Sequence, residues 1–471
     1  MNPSLKILFI SIFMEGDGGG EGRVAYEMAR WFSRTHPVVM LCPGETTRLV
    51  EDPDGFRRFE VQAVRQGNLS MPLLSGIHVH RIFKFLDEFH PDVIHIHDPA
   101  LLGVMGQLWA KLNRVPVFYT AHILPSRALD FGAGEVSPLK IGPISEAVAE
   151  QYLLDFYSNC DAVVGLNQTA VEEVRNFGYS GRIFMIPNGR NLGMFQSCAF
   201  ANPAAEVKEL LFTGFLSKRK NQAFLLEVMR CLPAGYHLPL IGEPLVADYL
   251  DELKRVVDSH HLQVTFAGQC SQEQIVQHLE KTHVFVSASK MEVQSLVVIE
   301  ALASGTPVVG LSNETVDELV DGSTGCRLPK DASPQEFAGV VQHICELPAP
   351  AYQQMCEACR SRVQELDWEK IMQRTVECYQ GVLTEMSGIE TETTPLMELV
   401  AGIHDERLRD EINGIISRLT LQPGVTPVQQ ATAIWLAWLN MTASVAGYYW
   451  LKIPASTSLR EIPYRRRRKK G

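Results

Sequence analysis

The stretch MEVQSLVVIEALASGTPVVG, residues 291–310, decides the fold. It follows the strand-like run HVFVSAS, and the apolar residues of VQSLVVIEALA recur at the spacing of a short buried helix. Gly305 and Pro307 then close that helix before a second apolar run, VVG. Strand, loop, helix and strand in this order make one unit of a parallel sheet, where ligands sit off the carboxyl ends of the strands. Two carboxylates frame the unit: Glu292 where the strand ends, and Glu300 after seven intervening residues. The helix start offers backbone N–H groups suited to an anion. An acid beside it repels phosphate, so Glu292 is expected to accept hydrogen bonds from sugar hydroxyls. Glu300 lies about two turns into an apolar helix, where a charge needs a partner. It suits the hydroxyls of a second ring, or a structural ion pair.

Outward from this unit, the chain repeats the same alternation. Residues 5–13 read as a first buried strand rather than a signal peptide, because Glu15 and Asp17 follow ILFISIF at once and no small-residue cleavage site appears. GDGGGEGR supplies a glycine turn before the amphipathic run VAYEMARWF. That turn lacks the Lys-Ser/Thr of a P-loop and does not fit G-x-G-x-x-G, so it is either a phosphate-binding turn or a tight turn with positive φ. PDVIHIHDP (91–99) and PVFYTAH (116–122) are two further strands. His95 and His97 alternate on one strand face without a third metal ligand nearby, which makes them core or cleft-lining histidines. His122 ends its strand at the carboxyl edge, where side chains reach ligand. The Gly-, Pro- and Ser-rich segment from Leu124 to Pro143, with Arg127, Asp130 and Phe131, is too long for a simple connection and reads as an acceptor loop. DAVVGLN and RIFMIPNG complete the first sheet, and ELLFTGFLSKRKN (209–221) opens a second.

Together these residues resemble a known family. An acid, seven residues, an acid and then ALASGTPV is similar to the nucleotide-sugar signature of the retaining glycosyltransferases of family 4. The resemblance implies an α/β chain of GT-B fold, two Rossmann-like domains facing across a cleft. It also implies that the first acid, Glu292, contacts the donor sugar and the second, Glu300, the ribose. Gly19, Gly20, Arg23 and Val24 match the family's G-G-x-x-R-V turn, which faces the donor diphosphate; Thr120 and His122 match its T-x-H position near the reacting sugar; Ile186 to Gly189 match its domain junction. Lys220, six residues after Gly214, matches the lysine that holds the diphosphate, whereas the family's arginine is Phe215 here, so Lys218 or Arg219 has to supply the missing charge. Val293-Gln294 likewise replaces the usual Gly-Phe after the first acid. The implied catalytic residues are therefore His122, Glu292 and Lys220. The implied nucleotide-sugar contacts are Gly19, Gly20, Arg219, Lys220, Glu292, Leu296 and Glu300. No metal and no cofactor are implied beyond a UDP- or GDP-linked sugar as donor substrate.

Composition sets the outer limits. At 471 residues and 46% hydrophobic, the chain has material for two or three domains. A net charge of −11 argues against nucleic acid as a partner. Ten cysteines without metal or framework spacing suit a reducing cytoplasm, and the C-x-x-C of Cys356 and Cys359 lies in a helical pattern with no strand before it. The resemblance covers residues 5–386, ending on the helical run DWEKIMQRTVECYQGVLTEM.

Beyond the linker SGIETETTP the chain changes character. No charge occurs between Arg418 and Lys452, and ATAIWLAWLNMTASVAGYYWL (431–451) as a helix is about 31 Å long, close to a bilayer core. Trp435 and Trp438 lie near one end and Tyr448, Tyr449 and Trp450 near the other, as in interfacial belts, and RRRRKK (465–470) suits anionic lipid. A spanning helix with the basic tail inside puts the catalytic domains on the wrong side for nucleotide sugars. A helix lying in the membrane surface avoids this, and packing on protein is the other alternative.

The expected organisation is an N-terminal acceptor domain over 1–195, a nucleotide-sugar domain over 196–386 and a helical extension over 387–471. The expected function is retaining transfer of a hexose to a hydroxyl of a membrane lipid or lipid-linked glycan, on the cytoplasmic face of the membrane. A nucleotide-sugar epimerase of related architecture and a non-catalytic membrane-associated binding protein are the alternatives.

Overall fold

The computed structural model describes residues 4–66, 69–74, 76–125 and 146–386. The expected acceptor loop beyond Pro125, with Arg127, Asp130 and Phe131, lies outside the described residues, as do the apolar helix at 431–451 and the basic tail. Two compact units divide the chain. One holds Met1–Val164, Glu173–Phe184 and the last helix from Tyr379 onward; the other holds Gly165–Glu172 and Met185–Cys378.

In the first unit, short apolar runs become buried strands because helices cover both faces of a parallel sheet. These are β1 (Ile7–Ile10), β2 (Val38–Gly44), β6 (Val93–Ile96), β7 (Val117–Thr120) and β8 (Ala162–Gly165), each buried along its whole length. β9 (Ile183–Met185) closes one side. At the other side the exposed β3 (Arg48–Glu51) and the long β4 (Arg57–Gln66) pair antiparallel, and β5 (Leu69–Pro72) pairs with β4 in the same sense. Among the described residues the strand order is β3-β4-β2-β1-β6-β7-β8-β9. The order reverses between β1 and β6, which are paired from Ile7↔Val93 to Ile10↔Ile96. This reversal opens the crevice that such sheets use for ligands.

The second unit is built on one parallel sheet with the order β12-β11-β10-β13-β14-β15. Its strands are β10 (Lys208–Thr213), β11 (Tyr236–Ile241), β12 (Val264–Gly268), β13 (Thr282–Ser287), β14 (Val308–Leu311) and β15 (Gly325–Leu328). This is the order of a dinucleotide-binding sheet, and its reversal falls between β10 and β13. The helix Leu296–Ser304 connects β13 to β14, and eight of its nine residues are buried. A helix that is apolar all round has to be enclosed on every side, which is why it sits in the core with the helix Ala349–Arg362 and the short helix Leu192–Gln196 against it. Gly305 ends it at φ 87°, a left-handed cap that glycine adopts without strain. The long helix Trp368–Met386 ends the described chain.

Candidate active site

Each sheet presents its chemistry at its own strand-order reversal. In the first unit, β1 runs into the glycine turn. Gly18 takes φ 77° and Gly19 φ 58°, and the helix Gly19–Ser33 starts there. A side chain at Gly18 meets the Phe13 ring 2.3 Å away, so the close turn depends on glycine. Gly19 and Gly20 thus stand at a helix N-terminus, whose first N–H groups lack intrahelical partners. The tight turn with positive φ is thus present, and it opens a helix end of the kind that suits an anion.

Asp98, just past β6, ties this turn down. Its Oδ2 accepts the Ile12 N–H at 2.6 Å. Burial pushes its carboxyl up to about 7, against the opposing pull of hydrogen bonds from Ile12, Ser11 and Ala100. Next to it three imidazoles form a stack. The rings of His95 and His97 lie 4.8 Å apart at 7°, and those of His97 and His122 5.4 Å apart at 23°. His97 Nδ1 and His122 Nε2 share one proton across 3.2 Å. His95 joins Tyr379 Oη at 2.5 Å through Nδ1 and Thr120 Oγ1 at 2.7 Å through Nε2. Burial lowers His95 and His122 to about 3 and holds His97 well below its ordinary value, so all three are neutral near pH 7. His95 and His97 are core residues, 1% and 0% exposed, while His122 stays half-buried two residues beyond β7.

In the second unit, Lys220 and Glu292 come together from the two strands that flank the reversal. Lys220 follows β10 and Glu292 follows β13, and Lys220 Nζ forms an ion pair with Glu292 Oε1. Each side chain is 12% exposed, so the pair is open enough to exchange partners and dry enough for charge to matter. The loop carrying Lys220 is held rigidly. Gln222 accepts the Ser217 N–H at 3.1 Å and donates to the Phe215 carbonyl at 2.9 Å, and Lys220 N–H bonds to Ser217 O at 3.0 Å. Phe215 itself is half-buried. Arg219 is exposed, and its carbonyl accepts the N–H of Lys290 at 3.0 Å. Lys218, Arg219, Lys220 and Lys290 therefore gather cationic charge at the carboxyl ends of β10 and β13.

Leu296 is the first residue of its helix and its side chain is buried, which leaves its main-chain N–H as the group with ligand chemistry. Glu300 is 1% exposed. Its counter-charge is Arg190, whose Nη2 lies 2.6 Å from Glu300 Oε1, both side chains 2% exposed. The two substitutions in the motif also have structural uses. Val293 O accepts from Asn167 Nδ2 at 2.7 Å, and Gln294 Oε1 accepts the Asn188 N–H at 2.5 Å. Gly19, Gly20 and His122 thus belong to the first unit, and Arg219, Lys220, Glu292, Leu296 and Glu300 to the second.

Sequence reading missed Arg190, Gln294 and the pairing of His97 with His122. The one signal for Arg190 was the charge of Glu300 on an apolar helix, which demands a cation but does not say where it comes from.

The comparisons with known proteins agree with this geometry. A family model described as Glycosyltransferase Family 4 matches residues 18–193, and one described as Glycosyl transferases group 1 matches residues 207–346. The chain is 22% identical over 403 residues to a GDP-mannose-dependent alpha-mannosyltransferase of Corynebacterium glutamicum, covering 81% of this chain and 90% of that protein. It is 22% identical over 290 residues to an alpha-monoglucosyldiacylglycerol synthase of Acholeplasma laidlawii, covering 57% and 70%. Its fold is similar to that of an Anabaena protein solved in complex with UDP-glucose, with a TM-score of 0.62 and 18% identity over 80% of this chain and 100% of that one. With both sheets, the paired acids and these two matched domains in place, the chain belongs to the family 4 glycosyltransferases of GT-B fold and is a glycosyltransferase that uses nucleotide-sugar donors.

Proposed function

We propose that the protein transfers a hexose from a UDP- or GDP-sugar to a hydroxyl of a membrane lipid or lipid-linked glycan, with the anomeric configuration retained. The observation that carries this reading is the Lys220 and Glu292 pair at the strand reversal of the second sheet. Lys220 exchanges its carboxylate partner for the donor diphosphate and stabilises the charge that builds there as the glycosidic bond breaks. Arg219 adds charge at the same edge in place of the arginine that Phe215 replaces. Glu292, released from Lys220, accepts hydrogen bonds from the donor sugar, and Glu300 with the Leu296 N–H serves the nucleotide. His122 acts near the reacting sugar as a neutral hydrogen-bonding group, and Gly19 and Gly20 contribute main-chain N–H groups toward the diphosphate.

In this reading residues 1–195 form the acceptor domain, 196–386 the donor domain, and 387–471 attach the enzyme to the cytoplasmic face of an anionic membrane. A lipid acceptor is supported by the name of the Acholeplasma relative, a diacylglycerol glucosyltransferring synthase. Retention is supported by the alpha linkages in the names of both relatives, since the common nucleotide hexoses are themselves α-linked.

The test is a panel of UDP- and GDP-sugars incubated with the protein and a total lipid extract, read by mass spectrometry. One lipid-linked product gaining a single hexose from one donor is expected. Free sugar formed equally well without acceptor points to an epimerase instead, and no turnover of any donor removes the reading.

A further inference from the structure

His97 and His122 stand just past the carboxyl ends of β6 and β7, which are neighbours in the sheet. Main-chain bonds fix both residues. The His97 N–H donates to Ile10 O at 3.0 Å, and the His122 N–H to Thr120 O at 3.0 Å. The His97 ring is fully buried, with its centroid 4.8 Å from that of His95 and 6.0 Å from that of Phe9. Its Nδ1 meets His122 Nε2 at 3.2 Å, whereas its Nε2 has no hydrogen-bond partner among the described residues. Both rings are neutral near pH 7, so each carries one proton on one of its nitrogens. If His122 donates from Nε2, the proton of His97 sits on Nε2, a buried donor that faces no acceptor. If His97 donates from Nδ1, its Nε2 is a bare nitrogen beside apolar and aromatic neighbours. Orphaned buried N–H groups are rarer than under-used acceptors, which selects the second arrangement.

We infer that His97 is a positioning residue for His122: it donates from Nδ1 to His122 Nε2 and so holds His122 in the tautomer whose Nδ1 carries the proton. The bond made by one imidazole nitrogen decides the state of the other. His122, half-buried at the end of its strand, then presents a hydrogen-bond donor that meets an oxygen of the reacting sugar and does not serve as a base. This role rests on the reading above in which His122 works near that sugar. It adds which ring nitrogen is used, and in which sense.

The test begins with nitrogen NMR of the full chain carrying isotope-labelled histidine, which separates protonated from bare ring nitrogens without any substrate. The His122 signals are identified by their loss in His122→Ala. A protonated Nδ1 and a bare Nε2 are expected on His122, and a protonated Nε2 overturns the assignment. Transfer is then measured with the UDP- or GDP-sugars and lipid extract of the panel above. His97→Leu is expected to lower kcat about tenfold or more while the donor KM changes by less than about twofold. His97→Asn, whose amide nitrogen stands near the place of Nδ1, is expected to recover kcat to within about threefold of the parent. In the His122→Ala background, His97→Leu is expected to add less than about twofold, because it acts through His122 alone. A full loss in that background, or no recovery with asparagine, overturns the positioning role and leaves His97 a core residue. An unchanged kcat in His97→Leu, beside a fall in His122→Ala, overturns the positioning role but not the part of His122 near the sugar. Unchanged transfer in His122→Ala overturns that part, and the role of His97 with it. If His97→Leu does not fold, the tautomer of His122 in the parent decides.

Discussion

His97 Nδ1 lies 3.2 Å from His122 Nε2, in a stack where neither ring has room for a second charge. One ring donates and the other accepts, so protonating the accepting nitrogen breaks the bond, and protonating either ring sets a charge against a buried neighbour. His122 therefore works as a neutral imidazole. Its replacement by Ala is expected to lower transfer about 10²-fold or more, the scale of losing a positioned polar group at a reacting centre, while nucleotide affinity stays nearly intact. Equal loss of transfer and of binding, measured by steady-state kinetics beside calorimetry, counts against a role near the sugar.

The same cluster sets the response to acid. The depressed histidines bind fewer protons folded than unfolded below their ordinary value of 6.5, so their contribution is intact above it and is lost as pH falls toward 3. Asp98 has the opposite sign. Raised from 3.8 to about 7, it favours the folded state most below 3.8 and loses that contribution as pH rises to 7. Three histidines outweigh one carboxyl, so the melting temperature is expected to fall steadily below about pH 6. His97→Gln, carrying one buried imidazole fewer, should flatten that decline. A melting temperature independent of pH between about 4 and 7 would show that the stack is already protonated or solvated.

Lys220→Ala removes the cation from the end of β10 and leaves Glu292 without its partner. Because the pair retains some access to solvent, the loss of stability is expected to be about 1 kcal/mol, against a fall in kcat of about 10²-fold or more. Turnover that survives Lys220→Ala moves the diphosphate contact to Arg219 or Lys290, and the corresponding double variants identify which.

Glu300→Ala is expected to show a different balance. It removes the carboxylate that faces the buried Arg190 guanidinium, so about 3–5 kcal/mol of stability is lost in addition to nucleotide affinity. Replacing both members, Arg190→Met with Glu300→Met, should recover most of that stability and none of the affinity. Denaturant melts beside titration check both parts. A double variant as unstable as Glu300→Ala argues that packing, and not an orphaned charge, is at fault.

Truncation after Ser387 is expected to leave nucleotide binding intact, because each unit has a hydrophobic core among the described residues that precede it. The shortened protein should no longer float with anionic liposomes, and deleting residues 465–470 alone should weaken that binding in a salt-sensitive way, by about 1 kcal/mol per near-surface charge. Full-length protein that stays off anionic liposomes at low salt ends the membrane reading of the extension.

Local sequence was enough to determine the strands and helices that carry the site and the acids at their ends. Residues 291–310 spell out their own strand, loop and buried helix because side-chain period and the turn chemistry of glycine and proline act over a few residues. The same local logic put Lys220, Glu292 and His122 at carboxyl ends of strands. The strands β2, β11 and β12 and the antiparallel edge of β3, β4 and β5 went unread; β3 is short and largely exposed, and β4 buries Phe59 and Val61 within a run of charged residues that obscures its alternation. Tertiary structure alone decided who meets whom. Gln294 bonds to a main-chain group 106 residues away, and Arg190 answers the charge of Glu300 across a similar stretch of chain. His97 finds His122 because β6 and β7 lie side by side in register. Such pairings follow from strand order and from the need of every buried charge for a partner. That need is visible in one residue of the sequence, but its fulfilment depends on the whole sheet.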